Sequence, residues 1–522
     1  HVDWSAGAVS LLTEPVQWPE NGHPRRAGIS GFGISGTNAH VIIEQAPTDT
    51  GADTGVDADA GLPVPVAELA GETPLPILVS ARSEEALRAQ AARLAAFVEE
   101  REDLGTLDAA YSLATGRSAF DHRAVVVGGD RAGLVRGLSA LAEDTASTAA
   151  GVVRGRVGDG RLAVLFSGQG SQRVGMGREL CRVVPGFAAV VEEICGRFDG
   201  LLERPLGEVL FAEEGSEAAA LLDRTAYTQA ALFAVEVALF RVLEGWGVRA
   251  DYLLGHSIGE LVAAHVAGVV SLEDACVLVA ARGRLMQALP EGGSMVALQA
   301  SEAEVLEVLS RVDADGARVG IAALNGPVSV VVSGDEDAVA RVAEHFTALG
   351  RKSRRLRVSH AFHSPRMEAM LADFRAVAEK VSYAPARIAV VSNVSGALAG
   401  EELGTAEYWV RHVRQAVRFA DGIAALEAAG VGTFVEAGPD AVLSAMGQEC
   451  LTGDADAAFV PMLRRDRGEA SELVAALGAL HARGVTVDWE TFFADAASAA
   501  GVEGPRRVEL PTYAFQHRHY WL

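Results

Sequence analysis

Short apolar runs alternate with longer stretches at helical spacing from residue 161 onward. LAVLF, DYLLG, AVVSN and TFVEAG read as buried strands, and the segments between them as helices of about 10 to 20 residues. Buried strands need cover on both faces, so the pattern predicts a largely parallel sheet between helical layers. Residues 295 to 358 interrupt it. They run strand (MVALQ), helix (EAEVLEVLSRV), strand (RVGIAAL), strand (SVVVSG), helix (EDAVARVAEHFTAL) and strand (SRRLRV). That β-α-β-β-α-β order predicts an inserted ferredoxin-like lobe. Two lobes leave a cleft, the usual place for a ligand.

Upstream, ILVSA (77 to 81) reads as a strand, EEALRAQAARLAAFVEE (84 to 100) as an amphipathic helix and RAVVVGG (123 to 129) as a strand, with another helix after it. This predicts a small α/β unit ending in the glycine-rich GVVRGRVGDG at 151 to 160. Residues 51 to 76, rich in Gly, Pro and acid and poor in aromatics, read as a linker that sets off the segment before it. The tail from about 463 reads as helical and ends in LPTYAFQHRHYWL.

Composition narrows the classes. A chain of 522 residues, 49% hydrophobic, fits about three or four folded units. Its formal charge of -24 repels nucleic acid and anionic membrane, so neither is an expected partner, and an anionic substrate must meet a local basic site. Cys181, Cys195, Cys276 and Cys450 lie far apart with no C-x-x-C spacing, which argues against a disulfide scaffold or zinc ribbon and for a reduced, cytoplasmic setting. HVDWSAGAVS lacks the regions of a signal peptide, and no long uncharged apolar run is present.

The only G-x-S-x-G in the chain is GHSIGE, 255 to 260, between the apolar DYLL and the helix-like LVAAHVAGVV. That strand-turn-helix setting exposes a serine hydroxyl, here Ser257, while the N–H of Ile258 at the helix start can face a developing oxyanion. A glycine-rich turn with a capping serine is the plainer alternative. GQGSQ, 168 to 172, also follows a buried strand and could supply a second oxyanion donor, most plausibly Gln169; it lacks the Lys-Ser/Thr ending of a phosphate loop. A nucleophilic serine needs a base. His256 and His265 are best explained by packing, whereas VSHAFHS, 358 to 364, lies where the inserted lobe returns to the main one. No further ligands at recognisable spacing stand near it, so no metal site is expected. Arg282 and Arg284 sit in an otherwise apolar helix. A guanidinium there wants an anionic partner, either a substrate carboxylate or an internal acid.

In their order, GQGSQ, TQAALFA (228 to 234), GHSIGE, RGRLM, NGPVSVVVSG (325 to 334), VSHAFHS and FVEAGPDAVL (434 to 443) resemble acyltransferase domains of modular type I polyketide synthases. These are relatives of malonyl-CoA:acyl-carrier-protein transacylases. The resemblance covers about 161 to 462. FGISGTNAHVIIEQAP (32 to 47) is similar to the end of a ketosynthase, 77 to 155 to a ketosynthase-to-acyltransferase linker domain, and LPTYAFQHRHYWL to the segment that packs back toward the ketosynthase. The implied map is a ketosynthase remnant at 1–47, an α/β linker domain at 48–157, and an α/β-hydrolase-like large subdomain at 158–293 and 361–462. A ferredoxin-like subdomain at 294–360 and a post-acyltransferase linker at 463–522 complete it. The ketosynthase's catalytic cysteine region is missing, so condensation is not expected of this chain.

The resemblance implies Ser257 as nucleophile, His363 as base, Gln169 and Ile258 as oxyanion donors, and Arg282 gripping the free carboxylate with Gln229 lining the same pocket. His360 and Phe362 fall in the family's specificity tetrad, where HAFH goes with malonyl units and YASH with methylmalonyl; Phe362 fills the space an α-methyl would need. A backbone carbonyl near YWVRHVRQ, 408 to 415, is implied to orient the base, with His412 where asparagine is common and Ala230 where proline is usual. Malonyl-CoA, an acyl carrier protein and the ketosynthase of the same polypeptide are the implied partners. No cofactor is implied in this chain, since phosphopantetheine rides on the carrier. The basic run RKSRRLR, 351 to 357, suits CoA phosphates or a carrier, and equally a solvated strand edge. A serine hydrolase or thioesterase shares the elbow and base, and a non-catalytic spacer is the reading from another class.

Overall fold

The computed structural model describes residues 7–8, 12–14, 16–18, 21–45, 73–145, 151–290, 292–453 and 456–517. Most of the predicted linker at 51 to 76 and the last five residues lie outside them. The chain forms two units, His1–Pro65 and Val66–Leu522. In the first, β1 (Arg26–Phe32) and β2 (Asn38–Glu44) pair as an antiparallel hairpin that leaves Ile29, Phe32 and Ile42 exposed.

In the second unit, β3 (Leu75–Ala81), β4 (His122–Gly128) and β5 (Val152–Arg156) make an antiparallel sheet. β5 corrects the sequence reading, which took 151 to 160 only as a glycine-rich end. Gly151, at φ +70, starts the strand at a point where a Cβ would meet the Val127 carbonyl oxygen at 2.4 Å. The helix Glu84–Glu100 packs on this sheet, and the helix Glu469–Ala482 from the tail packs on β4 and β5. Residues 510–514 then run along it, with Arg117 donating to the Leu510 carbonyl at 2.9 Å and Gln90 accepting from the Ala514 N–H at 2.7 Å.

The main body opens with β6 (Arg161–Phe166) and β7 (Tyr252–Gly255). Between them lies the helix Thr225–Gly245, long and apolar enough to cross a membrane, with 89% of its apolar window buried in the protein. The inserted lobe carries β8 (Gly293–Leu298), β9 (Val319–Gly326), β10 (Ser329–Asp335) and β11 (Ser353–Arg355), all antiparallel in the order β11-β8-β10-β9. The helices Glu302–Val312 and Glu336–Ala348 close a core of its own around Val305, Val332, Val342 and Phe346. β11 is shorter than the predicted 353 to 358, because Arg357 and Val358 are exposed and leave the sheet edge. The chain returns through β12 (Ala389–Val391), β13 (Val431–Glu436) and β14 (Ala458–Pro461), giving a parallel sheet ordered β12-β7-β6-β13-β14. Leu253, Leu254, Leu165 and Val435 are fully buried, as a sheet covered on both faces requires. This α/β architecture, a parallel sheet with a ferredoxin-like insertion, is the predicted fold class.

Candidate active site

The loops at the carboxyl ends of β6, β7 and β12 converge, the place where open parallel sheets hold ligands. β7 turns at Ser257 into the helix Ile258–Val266 with φ 54 and ψ -113, a conformation few residues other than glycine adopt. The flanking glycines permit it. A Cβ on Gly255 would lie 2.1 Å from the Glu260 nitrogen, and one on Gly259 would lie 2.3 Å from the Phe166 carbonyl oxygen. The turn is pinned from the side by Asn393, whose Oδ1 accepts the Ser257 N–H at 2.7 Å and whose amide donates to the Gly255 carbonyl.

His363 comes from the segment after the small lobe, also at positive φ (51). Its Nε2 lies 2.8 Å from Ser257 Oγ and its Nδ1 lies 2.8 Å from the Gln415 carbonyl oxygen. A carbonyl only accepts, so Nδ1 carries the hydrogen and Nε2 turns a lone pair to the serine hydroxyl. Burial and then the positive charge of Arg282 hold this imidazole well below its ordinary value of 6.5, against the opposing pull of the Gln415 carbonyl. It is therefore neutral at physiological pH and able to take a proton.

Arg282 reaches the same point from the helix Leu272–Gln287. That helix closes on Thr225–Gly245 because Gly283 has no Cβ; one would sit 2.8 Å from the Ala226 Cα. Arg282 is 2% exposed, its Nη2 donates to Ser257 Oγ at 3.1 Å, and its Nε has no partner. No carboxylate among the described residues lies within ion-pair distance of it, so no direct internal ion pair satisfies the guanidinium. Burial pushes the guanidinium down from 12.5 to about 10, with Glu260 opposing, so it stays charged at neutral pH. Arg284, two residues on, is exposed.

The other predicted residues have these surroundings. Ile258 occupies the first position of its helix, where the N–H has no intrahelical acceptor. Gln169 is half-buried in the loop after β6, which is drawn to the elbow by the bond from the His256 N–H to the Phe166 carbonyl (2.8 Å) and by Gly168, where a Cβ would meet the His256 oxygen at 2.9 Å. Gln229 is buried, its amide on Met286 Sδ at 3.3 Å and its Oε1 unpaired. His360 bonds the Leu289 carbonyl through Nε2 at 3.0 Å, and its ring lies 6.3 Å from that of the buried Phe362. His256 bonds Asn325 on β9 at 2.9 Å, a packing and tethering role. Among the described residues no group of His, Cys, Asp and Glu side chains forms a metal cluster.

The sequence reading missed Asn393 and Glu260. The signal was present in each case: an amide straight after the apolar AVVS, and an acid inside the apolar helix IGELVAAHV.

Residues 164–487 match the family model of the acyl transferase domain, and residues 1–127 match that of the ketoacyl-synthetase C-terminal extension. The structure is similar to that of the acyltransferase domain from the second module of the salinomycin polyketide synthase, 50% identical, with a TM-score of 0.68 over 84% of this chain and 98% of that one. The chain belongs to the polyketide synthase acyltransferases. This acyltransferase is also 55% identical to the polyketide synthase GfsA of Streptomyces halstedii over its whole length, which is 7% of that protein, and 53% identical to the spectinabilin synthase protein NorB of Streptomyces orinoci, of which it spans 23%. It therefore corresponds to a small part of its curated relatives. A more distant likeness is to the malonyl-CoA:acyl carrier protein transacylase of Xanthomonas oryzae, 30% identical, TM-score 0.55, covering 62% of this chain and 98% of that one.

Proposed function

We propose that this acyltransferase loads a malonyl unit from malonyl-CoA onto Ser257 and passes it to the phosphopantetheine thiol of an acyl carrier protein, in the cytoplasm and beside the ketosynthase of the same synthase. The supporting observation is Arg282, a buried guanidinium with an unpaired N–H and, among the described residues, no acid within ion-pair distance, touching the hydroxyl that a base also touches. Such a group favours a substrate bearing its own carboxylate.

In the first half-reaction Ser257 Oγ attacks the thioester carbonyl as its proton passes to His363 Nε2. The N–H groups of Gln169 and Ile258 hold the oxyanion, and the CoA thiolate leaves with the proton from His363. In the second, the carrier thiol gives its proton to His363 and attacks the ester, and Ser257 departs taking that proton back. The Gln415 carbonyl steadies the imidazolium in both, doing the work an aspartate does in a triad. The reaction asks for no cofactor bound to this chain. Phe362, buried beside His360, supports malonyl over α-methylated units by occupying volume.

The test is to incubate the purified protein with an equal mixture of malonyl-, methylmalonyl- and ethylmalonyl-CoA and weigh the intact chain. A persistent malonyl adduct lost in Ser257→Ala is expected. A dominant methylmalonyl adduct would overturn the specificity, and rapid loss of the adduct to water without a thiol acceptor would favour a hydrolase.

A further inference from the structure

Glu260 has no part in the reaction as written, yet it is fully buried in the first turn of the elbow helix and ties two other segments to it. One oxygen accepts the Tyr408 hydroxyl, which also lies 2.6 Å from Ser392 Oγ. The other accepts the Asn393 N–H at 3.0 Å and lies 3.1 Å from His412 Nε2, outside hydrogen-bond alignment. Two routes lead from these contacts to the reacting atoms. Asn393 is the residue whose side chain holds the Ser257 N–H and the Gly255 carbonyl. Tyr408 and His412 belong to the helix Ala406–Arg414, whose C-cap residue, Gln415, presents the carbonyl that binds His363.

We infer that Glu260 is a positioning residue that holds the nucleophile and its base in register through a single carboxylate, one oxygen fixing the segment that carries the base's carbonyl and the other the segment that pins the serine. A hydrophobic residue in its place would leave the Asn393 N–H without an acceptor in a buried site and the Tyr408 hydroxyl with only Ser392 Oγ. Glutamine keeps the shape, and its NH2 group replaces one of the two acceptor oxygens with a donor. The serine and imidazole then drift relative to each other, and small misplacements of reacting groups have large kinetic effects.

The inference rests on the Ser257–His363 reading above, and its test avoids dependence on the acyl group. An alkyl fluorophosphonate, which phosphonylates an activated serine hydroxyl with loss of fluoride, is titrated against wild type, Glu260→Gln and Tyr408→Phe, with the adduct mapped by mass spectrometry. The fraction of chains finally labelled reads folding, the half-saturating concentration reads probe binding, and the saturated rate constant reads alignment. Glu260→Gln is expected to lower the saturated rate roughly 10- to 100-fold at an unchanged labelled fraction and half-saturation. Tyr408→Phe is expected to change it in the same direction by less. Saturated rates in both variants within twofold of wild type overturn the inference, as does a loss confined to the labelled fraction, the mark of a merely structural role. If Glu260→Gln does not fold, Tyr408→Phe decides. A wild type unlabelled at Ser257 sinks the nucleophile reading and this inference with it, whereas labelling without malonyl transfer sinks only the substrate assignment.

Discussion

Replacing Arg282 by alanine separates recognition of a carboxylate from the chemistry at Ser257. Burial lowers the guanidinium from 12.5 to about 10, which corresponds to about 3 kcal/mol of disfavoured charge that a bound carboxylate can offset. An independent bound agrees in size, since removing one partner from a buried ion pair costs about 3 to 5 kcal/mol. At about 1.4 kcal/mol per decade, malonyl loading should lose roughly two orders of magnitude or more in kcat/KM. Acetyl loading makes no use of the charge and should hold within about threefold or rise, because the variant no longer presents an unsatisfied cation to a methyl group. Rapid-quench loading from malonyl-CoA and acetyl-CoA, read by intact mass, gives both constants on one preparation. Equal losses with the two substrates would refute the reasoning and make Arg282 a structural prop for the elbow.

Other expectations follow from the same geometry. Phe362→Ser should open space for an α-methyl and shift the malonyl to methylmalonyl ratio by about 1 to 3 kcal/mol, seen in competition loading; an unchanged ratio would detach Phe362 from selection. Because the His363 imidazole is held well below 6.5, the proposed base role predicts a fluorophosphonate labelling rate that stays flat from about pH 6.5 to 8 and falls only as acid protonates the imidazole. Arg282→Ala, which removes a neighbouring positive charge, should move that acid limb to higher pH, and a downward movement would contradict the electrostatics. Glu436 lies buried at the end of β13, where burial raises its carboxyl from 4.5 to about 7. Its proton is held more tightly folded than unfolded, so the linked stability is complete below pH 4.5 and is lost as pH rises through about 7, by up to about 3 kcal/mol. Urea titrations across that window should show a shallower decline in Glu436→Gln, and an undiminished slope would place the linkage elsewhere.

The strands of the main sheet were legible because LAVLF and TFVEAG are apolar on both faces, and the inserted lobe because its six elements occur in one diagnostic order. β5 escaped because VVRGR alternates buried and exposed residues over only five positions beside three glycines, so its pairing with β4 is decided by tertiary contact. β11 was overrun at its end because Arg357 and Val358 continue its composition without continuing its hydrogen bonds. At the site, GHSIGE marked the elbow unaided. Arg282 and His363 stand 25 and 106 residues from Ser257 along the chain, a separation no local pattern bridges, so resemblance was needed to join them. Asn393 and Glu260 escaped because a polar residue in an apolar stretch marks burial without saying which turn it faces.

The small lobe is stitched to the main body by β9, where Leu324 donates to the Val417 carbonyl at 2.8 Å and Val417 donates to the Ala322 carbonyl at 2.9 Å. Val417 is two residues from the carbonyl that steadies His363, and Asn325, next along β9, holds the residue before Ser257. A displacement of β9 would thus pull at once on the segment that binds His363 and on the turn that carries Ser257.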